Sequence, residues 1–182
     1  MHALTGFLRL LRLYARIDRI KLPVVLLVIA GLLYSTVVSV VDVYGGSPQQ
    51  EMQYAAAAAP SVVGRVFAGP IDGPSIGAIV LNEGYLFTAL AVVFMSTLLV
   101  VRHTRQDEET GRGELIGSTV ISKHAPLAAA LGLAVIANVV FGALAAAILM
   151  AGDLDTAGSV YTGAAFALTG ITFAALAGVA RR

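Results

Sequence analysis

Apolar residues in this chain gather in long uninterrupted runs and do not recur at the spacing of a soluble core. Four runs, 22–41, 85–101, 127–150 and 160–180, hold 17 to 24 residues each without a charge. Runs of that length can cross about 30 Å of hydrocarbon as helices. The second is short if begun at Tyr85. Extending it back to 78, with Asn82 and Glu83 at the outer interface, gives predicted spans 22–41, 78–101, 127–150 and 160–180. The pattern predicts an all-α integral membrane protein of one domain, covering residues 1–182.

The segments between the runs carry their own patterns. In 1–21, Arg9, Arg12, Arg16 and Arg19 recur at spacings of three and four and share one helical face, with Leu10, Leu13, Tyr14 and Ile17 on the other. This predicts an amphipathic interfacial helix with its arginines at anionic head groups. Pro23 stands at the joint with the first span, where a bend is tolerated. The long segment 42–77 opens on the turn cluster Tyr44-Gly45-Gly46-Ser47-Pro48. Helix formers over 49–59 and 61–68 then predict two short helices, punctuated by Pro60, Gly69-Pro70 and Gly73-Pro74. Small residues recur at steps of four in the last two spans: Ala128/Gly132, Gly142/Ala146 and Ala174/Gly178. Such pairs permit close helix contact in lipid.

Composition agrees with the pattern: 58% of residues are hydrophobic and 13% charged, against about a quarter charged in ordinary soluble domains. The placement of charge says more than the net value of +1. Arg9, Arg12, Arg16, Arg19 and Lys21 precede the first span, Arg102, Arg105, Arg112 and Lys123 lie between the second and third, and Arg181 and Arg182 follow the fourth. The other two connections hold only Arg65 as a basic residue, against Asp42, Glu51, Asp72, Glu83, Asp153 and Asp155. The positive-inside bias places both termini and the 102–126 segment in the cytoplasm, in a multi-pass protein of the cell membrane. The absence of cysteine excludes disulfides and thiolate metal sites.

Little in the chain points to chemistry. The stretch 113–119, Gly-Glu-Leu-Ile-Gly-Ser-Thr, lacks the lysine and the spacing of a phosphate loop. His2, His103 and His124 read as isolated interfacial residues. No metal cluster, catalytic residue or nucleic-acid pattern is expected, and no cofactor is expected on the chain. The span centres carry no charge, which argues against a proton- or ion-driven carrier. Asn138 is the strongest hydrogen-bonding side chain near a midplane. It reads first as a link between helices and, more weakly, with Ser96 and Thr97 as part of a substrate path.

The densest polar stretch is 102–124, with three of the five glutamates, and it has to lie in water. A charged segment this short, on the basic side, is a place for a soluble partner to grip. Glu108 and Arg112 stand at i,i+4, the orientation that supports a short helix. The string 100–131 resembles permeases of ABC-2-type exporters of the polyketide-antibiotic (tetronasin-type) family. The resemblance lies in Arg102-His103-Thr104-Arg105, Glu108-Glu109, Gly111-Arg112 and Glu114-Leu115, with Lys123 where that family usually has arginine. Asp18-Arg19-Ile20-Lys21-Leu22-Pro23 and the alanine tract 54–60 also look like the family.

The resemblance implies a permease of an ATP-driven exporter of hydrophobic or amphipathic compounds, in antibiotic or multidrug efflux. ATP and magnesium would be held by a separate cytoplasmic ABC ATPase subunit, not by this chain. It implies that 102–126 is a coupling loop seated in that ATPase, through Arg105, Glu108, Glu109, Gly111, Arg112, Glu114 and Leu115, and that 1–21 is an elbow helix. Such permeases have about six or twelve spans. Four suggest an N-terminal portion, a truncated product, or a unit needing further permease helices or a second permease chain. The alternatives are a non-transporting scaffold or regulatory subunit derived from a truncated permease and, third, a membrane-embedded enzyme.

Overall fold

A computed structural model describes residues 6–109 and 124–180, the side chains of 105–109 excepted. The described residues form seven helices and no strand: α1 Phe7–Ile17, α2 Lys21–Tyr44, α3 Pro48–Ala58, α4 Val62–Ala68, α5 Ile76–Glu109, α6 Ala125–Ala151 and α7 Thr156–Val179. Of these, α2, α5, α6 and α7 are long and apolar enough to cross a membrane. Helix α5 runs well beyond the predicted second span at its C-terminal end, because Arg102 to Glu109 continue the helical backbone into the polar stretch.

Local chemistry sets the boundaries. Ser47 Oγ accepts from Gln50 N, with Pro48 at the first position of α3; Ser61 Oγ accepts from Gly64 N to start α4. Asp155 Oδ2 accepts from Gly158 N at 2.7 Å to start α7. Each side chain satisfies a backbone donor that has no partner inside its helix. Pro23 is the third residue of α2, where no intrahelical bond to its nitrogen is required.

The four long helices alternate in direction. At one end the α1–α2 joint meets the end of α5, Phe7 touches α6 at Gly132, and Gly178 of α7 lies against Leu127 of α6. At the other end Gly77 of α5 neighbours Leu154, and Gly152 lies against Val37 of α2. Helix α6 is the central element. It touches α1, α2, α5 and α7, and half of its most apolar window is buried, against 28% for α2 and α7.

The α6–α7 interface is the most extensive. Its closest approach joins two glycines: a Cβ on Gly163 would stand 2.3 Å from the Gly142 carbonyl oxygen, and one on Gly142 would stand 2.6 Å from that of Gly163. The small-residue pair Gly142/Ala146 therefore faces α7. Gly132 instead receives the Phe7 ring of α1, and Gly178 receives Leu127 and Leu131.

Replacing Gly163 with alanine should force the two backbones apart, because the obstructing atom is a carbonyl oxygen. Overpacking of this kind costs about 1–3 kcal/mol. Gly31→Ala, with nothing within 4 Å of its added carbon, is the control. Thermal unfolding in detergent should show a lower midpoint for Gly163→Ala and none for Gly31→Ala; equal midpoints would dismiss the contact.

Candidate functional site

The feature that most departs from the apolar pattern is a buried carboxylate at the α1–α2 joint. Asp18 follows α1 directly, and its N–H donates to the Tyr14 carbonyl at 3.0 Å. Tyr14 and Asp18 are one turn apart and share a face. That face, with Leu10, is turned into the bundle, and Asp18 is only 1% exposed. A carboxylate at a helix C-terminus meets the negative end of the helix dipole, and burial adds a desolvation cost. Both disadvantages are offset from α5. Arg102 Nη2 donates to Asp18 Oδ1 at 2.5 Å, and His103 Nε2 lies 2.6 Å from Oδ2. A carboxylate oxygen accepts, so this contact places the imidazole proton on Nε2. His103 is itself buried and stacks on Tyr14 with ring centroids 4.2 Å apart. Thr104 follows, also buried, with its hydroxyl donating back to the α5 carbonyls of Val100 and Val101.

The cluster fastens the N-terminal helix to the last turns of α5, at the start of the polar stretch. His103 is therefore not the isolated interfacial residue expected from the sequence: its neighbours in space come from a helix 85 positions earlier in the chain. His124 is exposed at the start of α6, and His2 lies outside the described residues. The signal available in the sequence was an acid on the apolar stripe of α1, continuing Leu10 and Tyr14 by one more turn.

The predicted interface residues Arg9, Arg12, Arg16 and Arg19 are all exposed. The apolar side of α1 divides. Leu10 and Tyr14 are buried against the bundle, whereas Leu13 and Ile17 are 44% and 39% exposed beside the arginines. Of the proposed coupling residues, Arg105, Glu108 and Glu109 belong to the helical backbone of α5; Gly111, Arg112, Glu114 and Leu115 lie outside the described residues.

Ser96 and Asn138 are brought together at the centre of the bundle, and both are fully buried. Asn138 Nδ2 lies 2.9 Å from Ser96 Oγ and donates to the Ala134 carbonyl at 2.8 Å. On the far side Gly170 leaves room for the amide: a Cβ there would stand 1.8 Å from Oδ1. The pair joins α5, α6 and α7 and is consumed by mutual bonding. Thr97 is partly exposed one residue on and is not part of this contact. A more accessible polar surface lies in the other half of the bundle. There Ser35, Thr36 and Ser39 of α2 face Glu83 of α5 around a cavity of about 380 Å³. Nearby, the Tyr54 hydroxyl contacts Glu83 and Asn82, and Asn82 donates to the Gly69 carbonyl, tying the long connection to α5. Burial, followed by the Glu83 bond and charge, raises the Tyr54 hydroxyl above its ordinary range of titration.

The described residues include no group of three metal-ligating side chains. No family model matches the chain. It is similar to a multidrug efflux system permease protein of Mycobacterium tuberculosis, with 44% identity over 180 residues. The match takes in 97% of this chain and 32% of the relative, so the chain spans about a third of that protein's length. With four apolar helices of spanning length, the similarity makes this a multi-pass membrane protein related to an efflux permease.

The buried cluster carries a direct test. Asp18→Ala leaves His103 and Arg102 without their carboxylate, and breaking one side of a buried pair costs about 3–5 kcal/mol. The expected result is a lower unfolding midpoint and faster proteolysis at Arg16 and Arg19. In a double-mutant cycle, Asp18→Asn and His103→Gln should couple by about 1 kcal/mol or more, as contacting residues do. Additive effects would mean the two side chains act independently.

Proposed function

We propose that this chain is the membrane-spanning part of an ATP-driven exporter of amphipathic, largely apolar compounds. It would couple through 102–126 to a separate ABC ATPase on the cytoplasmic side, with both termini on that side. The observation that carries this reading is the 44% identity along nearly the whole chain to an efflux permease. The distribution of charge supports it. Arg9, Arg12, Arg16, Arg19, Lys21 and Arg102 stand at the end where α2 begins and α5 finishes, whereas among the described residues the other end holds Arg65 as its one basic residue. The architecture supports it as well. The first part of the proposed docking segment, 105–109, continues α5 past the Asp18 cluster, which joins the α1–α2 joint to α5, so a displacement of the partner would reach three helices.

The spans offer Leu, Val, Phe and Ala walls with hydroxyls and one amide, which suits a mostly hydrophobic cargo with few polar anchors. Among the described residues the middles of the four long helices carry no carboxylate, which favours an ATPase over an ion gradient as the source of energy. The polyketide-antibiotic class of exporter is the family whose spelling the 102–115 segment follows.

The decisive experiment reverses Glu108 and Glu109 to lysine. If these side chains meet a complementary groove on the ATPase, loss of a desolvated charge pair costs about 2–5 kcal/mol. ATPase pull-down and drug efflux should fall together, while membrane insertion is kept. Reversal of Asp42 and Glu51, near the opposite end, is the control; it leaves the Asp155 cap of α7 untouched. A freely solvated segment would change by about 0.5 kcal/mol or less. Equal binding and efflux in wild type and variant would remove the coupling role.

Topology is open to a second measurement. Cysteine at Gln49 should react with an impermeant maleimide added to intact cells, and cysteine at Ser118 only after permeabilisation. Labelling of Ser118 from outside would overturn both the orientation and the docking assignment.

A further inference from the structure

Beside the Asp18 cluster a groove of about 280 Å³ opens between α2 and α5. Its walls are Leu22 and Val25 from α2 and Phe94, Met95, Leu98 and Leu99 from α5; its mouth holds Lys21, Arg102 and Asp18. The arrangement is amphipathic along the helix axis. From Arg102 to Phe94 is eight residues, or about 12 Å at 1.5 Å per residue. Half of a 30 Å hydrocarbon core is about 15 Å. The apolar part therefore runs through most of one leaflet, and the charges stand at the level of its head groups.

The charges at the mouth do not cancel. Asp18 is occupied by Arg102 and His103, whereas Lys21 is exposed and makes no ion pair among the described residues. An excess positive charge thus caps a furrow lined by large side chains. Another transmembrane helix is a poor fit. Helices pack closely in lipid through small residues, and this furrow has none.

We infer that this groove holds one acyl chain of an anionic phospholipid, with the phosphate of its head group on Lys21 and Arg102. The assignment is independent of the exporter reading, since it concerns a lipid held at one place and not a cargo that is moved. It is also distinct from the general attraction of the α1 arginines to a charged surface, because it requires the α2–α5 furrow.

The test is lipid retention by the purified 182-residue chain in mild detergent, read by native mass spectrometry. Added phosphatidylglycerol should be retained at about one molecule per chain, in preference to phosphatidylcholine. Lysophosphatidylglycerol, with a single chain, should compete for it, and glycerol phosphate, with none, should not. Lys21→Gln should weaken phosphatidylglycerol retention about fivefold, the ratio corresponding to ~1 kcal/mol per basic residue near an anionic surface. Arg9→Gln, an exposed arginine outside the groove, should leave it unchanged. Val25→Trp, placing an indole in the furrow, should reduce retention of both lipids while the chain still elutes as a folded species. Equal retention of the two lipids by wild type would reduce the groove to ordinary lipid contact. Equal losses in Lys21→Gln and Arg9→Gln would assign the effect to surface charge at large. A species in which a second copy of the chain displaces the lipid would make the groove a protein interface and overturn the proposal.

Discussion

A carboxylate that is 1% exposed has to be matched by something, and Asp18 is matched by Arg102 and His103 of α5. The effective cost of burying an ion is several kcal/mol, recovered only with good geometry and full hydrogen bonding. The constraint is therefore positional. Arg102 and His103 have to lie at the depth of the α1–α2 joint, which fixes where α5 stands along its axis relative to α2. The Tyr14 ring, stacked on His103, extends the same restraint into α1. Apolar contacts between Leu and Val side chains tolerate sliding; a carboxylate shared by a guanidinium and an imidazole does not.

The rest of the bundle is held by contact instead of charge. In lipid the removal of apolar area from water no longer drives helices together, and close packing and interhelical hydrogen bonds take over. This explains the use of glycine at the α6–α7 crossing and of Gly170 against Asn138. It also explains why large side chains such as Leu27, Val28, Phe94, Leu98 and Leu168 remain more than half exposed on the outer faces of α2, α5 and α7. In water those faces would be an aggregation hazard. In hydrocarbon they are the solvent-facing surface.

Most of the architecture was legible because it follows from length and hydropathy alone. The four spanning helices, the two short helices in the long connection and the amphipathic N-terminal helix all leave one-dimensional patterns. Asn138 was also legible as a link between helices, since an amide at the middle of an apolar run has few other uses. The Asp18 cluster was not read, although both halves of it stood out separately: Asp18 in one distinctive string, 18–23, and Arg102-His103 in another. Joining them requires knowing that the start of the first span and the end of the second lie side by side. The alternation of the helices implies that much, but it leaves the rotation of each helix open. The hydroxyls Ser35, Thr36 and Ser39 posed the same difficulty. Their step of three to four marks a stripe on α2, and only the packing shows that it faces Glu83.

Helix α5 connects these features. At 34 residues it is a single rod of about 50 Å. One end is bound to the long connection through Asn82 and the Tyr54–Glu83 contact, and the other to the α1–α2 joint through Arg102 and His103. Between them Ser96 ties it to α6. Its last turn, 105–109, projects beyond the cluster into the polar stretch. In the proposed coupling a partner acting on 105–109 would load a helix already fastened at both ends. The α1–α2 joint would have to follow α5 or release Asp18, and the second course exposes a buried carboxylate. Motion of α1, α2 and the end of α5 as one body, which keeps Asp18 paired with Arg102 and His103, is the less costly response.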